Sequence, residues 1–232
     1  MAKCFTTWTV LKHEPIEKHT QNLWSVSGYM PGGNQRRMTL VRRSDGGLVI
    51  HNPIALDDAE MKEVEAFGKP AFLIVPNAFH RQDAIIYKQR YPEISVLCPQ
   101  TARKKVCRIV EVAGNLDEMP KDADVEVFHL RGMKEREGAI RVRSNGNSAL
   151  VFNDALLNLE PTSGVLGFFM APTGSLSVPR FSSWMLAKNV GELKQHLQEL
   201  AGSAGLSHVV PGHGKVVQSD AASALQEACA RL

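Results

Sequence analysis

Histidine and carboxylate side chains lie at the ends of several predicted strands, where they could bind a metal ion. Residues 76–83, Asn153-Asp154 and residues 211–214 form three such polar strand ends, and His51 ends a further strand. Loops at strand ends can converge on one cleft, and His and Asp are ligands of zinc and iron centres. A bound cation lowers the pKa of a water molecule and polarises a carbonyl or phosphoryl oxygen. The residue types therefore indicate hydrolytic chemistry, although the candidates are scattered along the chain.

Each candidate also has a structural interpretation, which the sequence leaves open. His213 stands between two glycines and could cap a tight turn, and Asp154 could cap the segment after it. His80 could cap the helix that follows. Asp83 is either a catalytic general base or an acid in the first helical turn, stabilised by the helix dipole.

Composition excludes several classes of protein. The chain has 232 residues, of which 44% are hydrophobic and 22% charged, so it is not broadly disordered. No apolar run is long enough to cross a bilayer, and the N-terminus lacks a signal-peptide core, so no membrane association is expected. The four cysteines form no CxxC pair, which is typical of a reducing compartment. We therefore predict a cytoplasmic protein.

Charge does not indicate a nucleic-acid partner. The formal net charge is +3, and basic clusters such as Arg103-Lys104-Lys105 are interspersed with acidic residues. No series of aromatic residues for base stacking accompanies them. Nucleic-acid binding is not expected, and a small-molecule substrate or ligand is the predicted partner.

The first half of the chain predicts strands followed by helices. Short segments rich in β-branched or aromatic residues predict strands at residues 8–11, 23–27, 38–43 and 48–51. Asp57 and Glu60 form a capping-box pattern before a helix that ends at Gly68. A continuous apolar run at residues 71–75 predicts a strand covered on both faces, followed by a helix at 82–91 and a strand at 95–98.

The second half repeats this order. Strands are predicted at residues 125–130, 139–143 and 149–152, with a hairpin turn at Asn145-Gly146. A helix at 190–201, a strand at 208–210 and a last helix from Ala221 follow. With no low-complexity linker between the halves, we predict one domain over residues 1–232. Its predicted fold class is α/β (α+β), a four-layer αββα sandwich.

Residues 161–187 are irregular and rich in aromatic side chains. They could form a lid, the wall of a substrate pocket or a homodimer surface. A hydrophobic cluster packed under a long loop is the alternative interpretation.

The order of the polar strand ends resembles that of the metallo-β-lactamase superfamily over nearly the full chain. Residues 48–53 are similar to the family's strand that ends in an aspartate, and residues 73–83 stand where the family has Thr-His-x-His-x-Asp-His. Residues 150–154 resemble the strand that carries the metal-bridging aspartate. Residues 210–214, Val-Pro-Gly-His-Gly, are similar to the closing segment that supplies the last histidine ligand.

The chain also departs from the family pattern. Only His80 and Asp83 remain in the main motif, and His51 replaces the strand-end aspartate. Alignment on Gly138 places Glu135 where the family has its middle histidine. The resemblance therefore implies an altered and incomplete metal site rather than a two-metal centre.

Two functions follow from the resemblance. The first is a hydrolase of ester, thioester, amide or phosphoester bonds with one divalent ion, Zn, Fe or Mn, held by His80, Asp154 and His213. Asp83 is then the candidate catalytic residue. The second is a non-catalytic descendant of the fold that binds a ligand or a protein and holds no metal. The sequence does not decide between an enzyme and a binding module.

Overall fold

The computed structural model describes residues 4–232, which divide into two compact units. The first ends at Val127, and the second covers Phe128–Leu232. Each unit contains one β-sheet and its own hydrophobic core. In the part of the chain that the structure describes, no helix has the length and apolar character needed to span a membrane.

Most strands and helices follow the predicted order, and further elements lie at residues 17–20, 100–106 and 164–170, where the sequence predicts neither a strand nor a helix. Within residues 4–232 the strands are β1 (Glu17–Thr20), β2 (Leu23–Tyr29), β3 (Gln35–Arg42), β4 (Gly47–His51), β5 (Lys69–Ile74), β6 (Ser95–Leu97), β7 (Val125–His129), β8 (Gly138–Ser144), β9 (Asn147–Val151) and β10 (Leu206–Val210). The helices are α1 (Asp58–Phe67), α2 (Ala84–Arg90), α3 (Gln100–Val106), α4 (Gly164–Met170), α5 (Val190–Ala201) and α6 (Ala221–Ala230). A 3₁₀ turn covers Leu116–Glu118, and a π-helical turn covers Ser182–Leu186.

The sheet of the first unit has the strand order β1-β2-β3-β4-β5-β6. Its first four strands are antiparallel to one another because short turns join them. Strands β4, β5 and β6 are parallel, because α1 connects β4 to β5 and α2 connects β5 to β6. One face carries Val26, Leu40 and Ile50, which pack with apolar residues of α1–α3. Val41 and Val49 on the opposite face are buried as well, so the central strands are apolar on both sides.

Helix α1 forms where its cap predicts it. The Asp57 side chain accepts hydrogen bonds from the backbone N–H groups of Ala59 and Glu60. The Glu60 carboxylate does not complete the capping box toward the helix, because it lies 3.3 Å from His13 Nε2. Gly68 ends the helix, as predicted.

The strand predicted at residues 8–11 is not present. Trp8 packs at 5.1 Å from the Tyr87 ring and donates its indole N–H to the carbonyl oxygen of Leu56. The aromatic residue that suggested a strand thus covers the core as part of an irregular segment.

The sheet of the second unit has the strand order β10-β9-β8-β7. Asn145 and Gly146 both have positive φ, at 50° and 78°, as a two-residue hairpin turn between β8 and β9 requires. Strand β10 pairs parallel to β9. The carboxyl ends of β9 and β10 therefore meet at one edge of the sheet.

Helices α5 and α6 bury one apolar face each, with Leu193, Leu197 and Leu225 fully buried in the second core. Helix α5 has the predicted bounds because its leucines recur at helical spacing and Asn189 caps it by accepting the Glu192 N–H. Residues 161–187 are less irregular than predicted, since they contain α4 and the π-helical turn.

Candidate functional site

Asp154 and His213 meet at the edge of the second sheet. Asp154 follows β9, and His213 follows β10. Because these strands are parallel neighbours, the two loops leave the sheet side by side. His213 Nε2 lies 3.1 Å from Asp154 Oδ1, and both side chains are mostly buried. The structure thus brings together two of the three predicted metal ligands within one unit.

Glu137 fixes the loop that carries Asp154. Its carboxylate is fully buried and accepts hydrogen bonds from the backbone N–H groups of Asn153, Asp154 and Ala155 at 2.9, 3.0 and 2.8 Å. Burial raises the pKa of the Glu137 carboxyl to about 8, and the Asp154 carboxylate adds to the rise, whereas the three N–H bonds oppose it. No motif in the sequence marks Glu137 as part of the site.

Three further hydrogen bonds hold the same edge. Ser182 Oγ, in the π-helical turn, donates to the backbone carbonyl oxygen of Asp154. The Asn158 N–H donates to the His213 carbonyl oxygen at 3.2 Å, and the Lys215 N–H donates to the Asn158 carbonyl oxygen at 2.9 Å. The backbone on both sides of the Asp154–His213 pair is therefore tied to the segment after β9.

Gly214 allows this close packing. Its φ is +85°, and a Cβ atom at this position would lie 1.9 Å from the Asn158 carbonyl oxygen. No side chain fits at this distance, so the residue after His213 must be glycine. The adjacent Gly212 is also constrained, since its Cβ would lie 2.7 Å from Asn153 Oδ1.

His80 belongs to the first unit, in the loop between β5 and α2. Asn77 Oδ1 accepts the backbone N–H groups of Phe79 and His80 at 2.8 and 3.3 Å, which shapes the loop as an Asx turn. The His80 side chain is buried and offers a ring nitrogen as a ligand atom.

Asp83 is buried in the first unit and takes part in an ion pair. Arg36 Nη2 lies 2.6 Å from Asp83 Oδ2, and the Ala55 N–H donates to Asp83 Oδ1 at 3.2 Å. Burial raises the pKa of Asp83, and the Arg36 guanidinium partly opposes the rise. Both carboxylate oxygens thus have partners within this unit.

The remaining candidates from the alignment differ in their surroundings. His51 ends β4, is buried, and is followed by Asn52 with φ of 54°. Glu135 is exposed on a turn and also has a positive φ, of 52°. The buried acid of this turn is Glu137.

The chemistry of the Asp154–His213 pair fits a divalent cation. An imidazole nitrogen and a carboxylate oxygen are ligands for zinc, iron or manganese. His213 Nε2 and Asp154 Oδ1 lie at hydrogen-bonding distance, 3.1 Å, so the two side chains present their polar atoms to each other.

Comparison with known proteins identifies similar structures but no similar sequence. A scan against family models gave no match, and no curated protein matched at a significant level. The DIM-1 metallo-β-lactamase is 14% identical with a TM-score of 0.62, and the match covers 94% of this chain and 97% of that one. The TMB-1 structure is 15% identical with a TM-score of 0.63 and the same coverages. A metallo-β-lactamase from Hirschia baltica is 13% identical with a TM-score of 0.58, covering 93% and 98%.

These matches confirm the fold class that the sequence predicts. The chain combines two sheets with helices in a mixed α/β architecture, and the similarity extends over nearly its whole length. The protein therefore has the metallo-β-lactamase fold.

Proposed function

We propose that the protein is a metal-dependent hydrolase of a small-molecule ester, thioester, amide or phosphoester. One divalent cation, Zn, Fe or Mn, is held by His80, Asp154 and His213. The observation that carries this proposal is the Asp154–His213 pair at 3.1 Å on a rigid sheet edge. The metallo-β-lactamase fold supports it, as does the position of His80 after β5, where the family has its main metal motif.

The residues of the chain have separate roles in this proposal. When bound, the cation lowers the pKa of a water molecule and polarises the carbonyl or phosphoryl oxygen of the substrate. Glu137 holds the Asp154 loop in place by accepting three backbone N–H groups of that loop. The Asp154 carboxylate would therefore be oriented before a cation binds. Asp83 is the predicted catalytic residue; through its ion pair with Arg36 it also steadies the loop that carries His80.

A second candidate function is a non-catalytic module that binds a ligand or a protein. It is favoured by the partners of Asp83, because both oxygens of this buried carboxylate already have a partner within the protein, an arginine and a backbone N–H. In this alternative the fold is retained and no metal binds. The cytoplasmic location stays a prediction in both cases.

Metal analysis after expression in zinc-, iron- and manganese-supplemented medium tests the proposal. We expect about one equivalent of metal in the wild type, loss of that metal in His213→Ala, and retention in the control His208→Ala, whose imidazole lies in β10 beside Ser207. Less than a small fraction of one equivalent in the wild type would exclude the hydrolase. Full occupancy in His213→Ala would show that the metal binds elsewhere.

A further inference from the structure

A group of large apolar side chains is exposed in the second unit. This aromatic surface consists of Val165, Phe168, Phe169, Trp184 and Met185, which are between 41% and 77% exposed. They come from α4 and the π-helical turn. Large exposed apolar patches on a protein surface mark interaction sites or ligand-binding grooves.

The aromatic surface is an ordered cluster centred on Phe168. The Phe168 ring lies 5.6 Å from that of Phe169, edge to face, and 6.0 Å from that of Trp184. The Arg180 guanidinium lies 4.6 Å from the centre of the Phe168 ring, and its Nη1 donates to the Phe168 carbonyl oxygen at 3.2 Å. Arg180 is therefore held in place against the cluster.

The charge on this surface has one sign. Residues 161–188 contain no Asp or Glu. Arg180 and Arg136, whose Nη1 donates to the Met185 carbonyl oxygen, have no carboxylate partner among residues 4–232. A guanidinium fixed beside an apolar surface is suited to the carboxylate or phosphate of a ligand.

Two connections join the aromatic surface to the candidate site. Ser182 Oγ donates to the Asp154 carbonyl oxygen, and Trp184 follows in the same π-helical turn. Arg136 contacts Met185, and the next residue, Glu137, accepts the N–H groups of the Asp154 loop. The apolar surface and the Asp154–His213 pair thus belong to one connected part of the second unit.

We propose that the aromatic surface binds the apolar part, aryl or long acyl, of an anionic small-molecule substrate. Arg180 and Arg136 pair with the anionic group, while the bond to be hydrolysed lies at Asp154 and His213. This inference rests on the proposed function and names its substrate class. A second copy of the chain is a poorer occupant, because a two-fold contact would place the arginines of both copies together without an acid from residues 161–188.

Fluorescence titration with two matched probes tests the inference on chelator-treated protein. The probes are 8-anilino-1-naphthalenesulfonate, an aryl anion, and the uncharged N-phenyl-1-naphthylamine. We expect the anionic probe to bind the wild type, with its Kd raised about tenfold by Arg180→Gln and by Trp184→Ser, about 1.4 kcal/mol each. Arg180→Gln should change the Kd of the uncharged probe little. Arg108→Gln, an exposed cation of the first unit, is the control and should not alter either Kd.

Three results would overturn the inference. The first is a Kd for the anionic probe that neither Arg180→Gln nor Trp184→Ser changes. The second is a wild-type dimer in sedimentation that Trp184→Glu dissociates, which would assign the surface to a second copy. The third is co-sedimentation with phosphatidylglycerol vesicles that Arg180→Gln abolishes, which would assign it to a membrane. Because the titration needs no metal, its failure is distinct from failure of the metal analysis.

Discussion

Glu137 is the residue on which the position of Asp154 most directly depends. Its carboxylate accepts three consecutive backbone N–H groups in a fully buried environment. A buried donor that loses its acceptor costs about 1–3 kcal/mol. The carboxyl group is therefore a structural requirement of the loop and holds the backbone from which the Asp154 side chain extends.

The stability of the protein should depend on pH through Glu137. Native Glu137 keeps its proton up to about pH 8, whereas the unfolded chain releases it near the ordinary pKa of 4.5. The native state then binds more protons between these values, so the free energy of unfolding falls as pH rises through this window. We expect Glu137→Gln to flatten this fall, measured by urea unfolding at about pH 5 and about pH 8.

The exposed Glu135 provides the matched control for this measurement. Glu135→Gln should leave the pH dependence as it is in the wild type, because its side chain is exposed. Equal slopes for wild type and Glu137→Gln would show that Glu137 is ionised throughout the range.

Single residues differ in how far the sequence predicts their role. The sequence indicates the positions of Asp154 and His213, because each lies three residues after an apolar strand, where polar residues leave the sheet at its edge. Glu137 cannot be identified in this way, because its partners are backbone N–H groups, and no residue type in the sequence indicates which of these groups it binds. Arg36 lies far from Asp83 in the sequence, so no local sequence pattern predicts the ion pair between them.

At the scale of elements, the turn after β10 holds the site in place. The backbone of residues 213–215 pairs with Asn158, and only glycine fits at position 214. The loops that carry Asp154 and His213 are therefore rigid, although neither belongs to a helix or strand.

Replacing two glycines, each in a separate variant, should separate the free-energy cost of a steric conflict from the cost of an unfavourable φ. Gly214 and Gly146 both have positive φ, but a Cβ at Gly146 meets nothing within 4 Å. We expect Gly146→Ala to cost about 1 kcal/mol through its φ alone. Gly214→Ala should cost several times more, about 3 kcal/mol or above, because the backbone must move. Urea denaturation measures the free energy of unfolding of both variants. Equal costs would show that the backbone after His213 can move to accommodate a Cβ atom with little loss of stability.

The elements themselves follow the sequence where local signals agree. Helices α1 and α5 have both a cap and an apolar face at helical spacing, and both form at the predicted positions. The segment at residues 8–11 has aromatic and branched residues but no partner strand, and tertiary packing of Trp8 decides its conformation. Helix α4 is short and carries exposed aromatic residues, so no amphipathic pattern indicates it.

At the scale of the whole molecule, each unit has a core of its own, and metal binding should be visible as stability of the full chain. A ligand that binds only the native state stabilises it by about 2.7 kcal/mol at one hundred times its Kd. For a chain of this length, 1 kcal/mol shifts Tm by about 2–4 °C. We therefore expect zinc at that concentration to raise Tm by about 5–10 °C.

The same measurement on His213→Ala completes this prediction. Loss of the imidazole should remove most of the zinc-dependent rise in Tm, while His208→Ala should retain it. An equal rise in all three proteins would indicate zinc binding outside the Asp154–His213 pair.

The first sheet ends in two very short outer strands, and this has a consequence for solubility. An edge strand with free backbone groups can recruit another chain and begin aggregation. Strand β1 has only four residues, carries the charges of Glu17 and Lys18, and changes register between Lys18 and Thr20. Strand β6 has three residues. Neither edge offers a long, flat template, so we expect little strand addition between molecules at either edge of the six-stranded sheet.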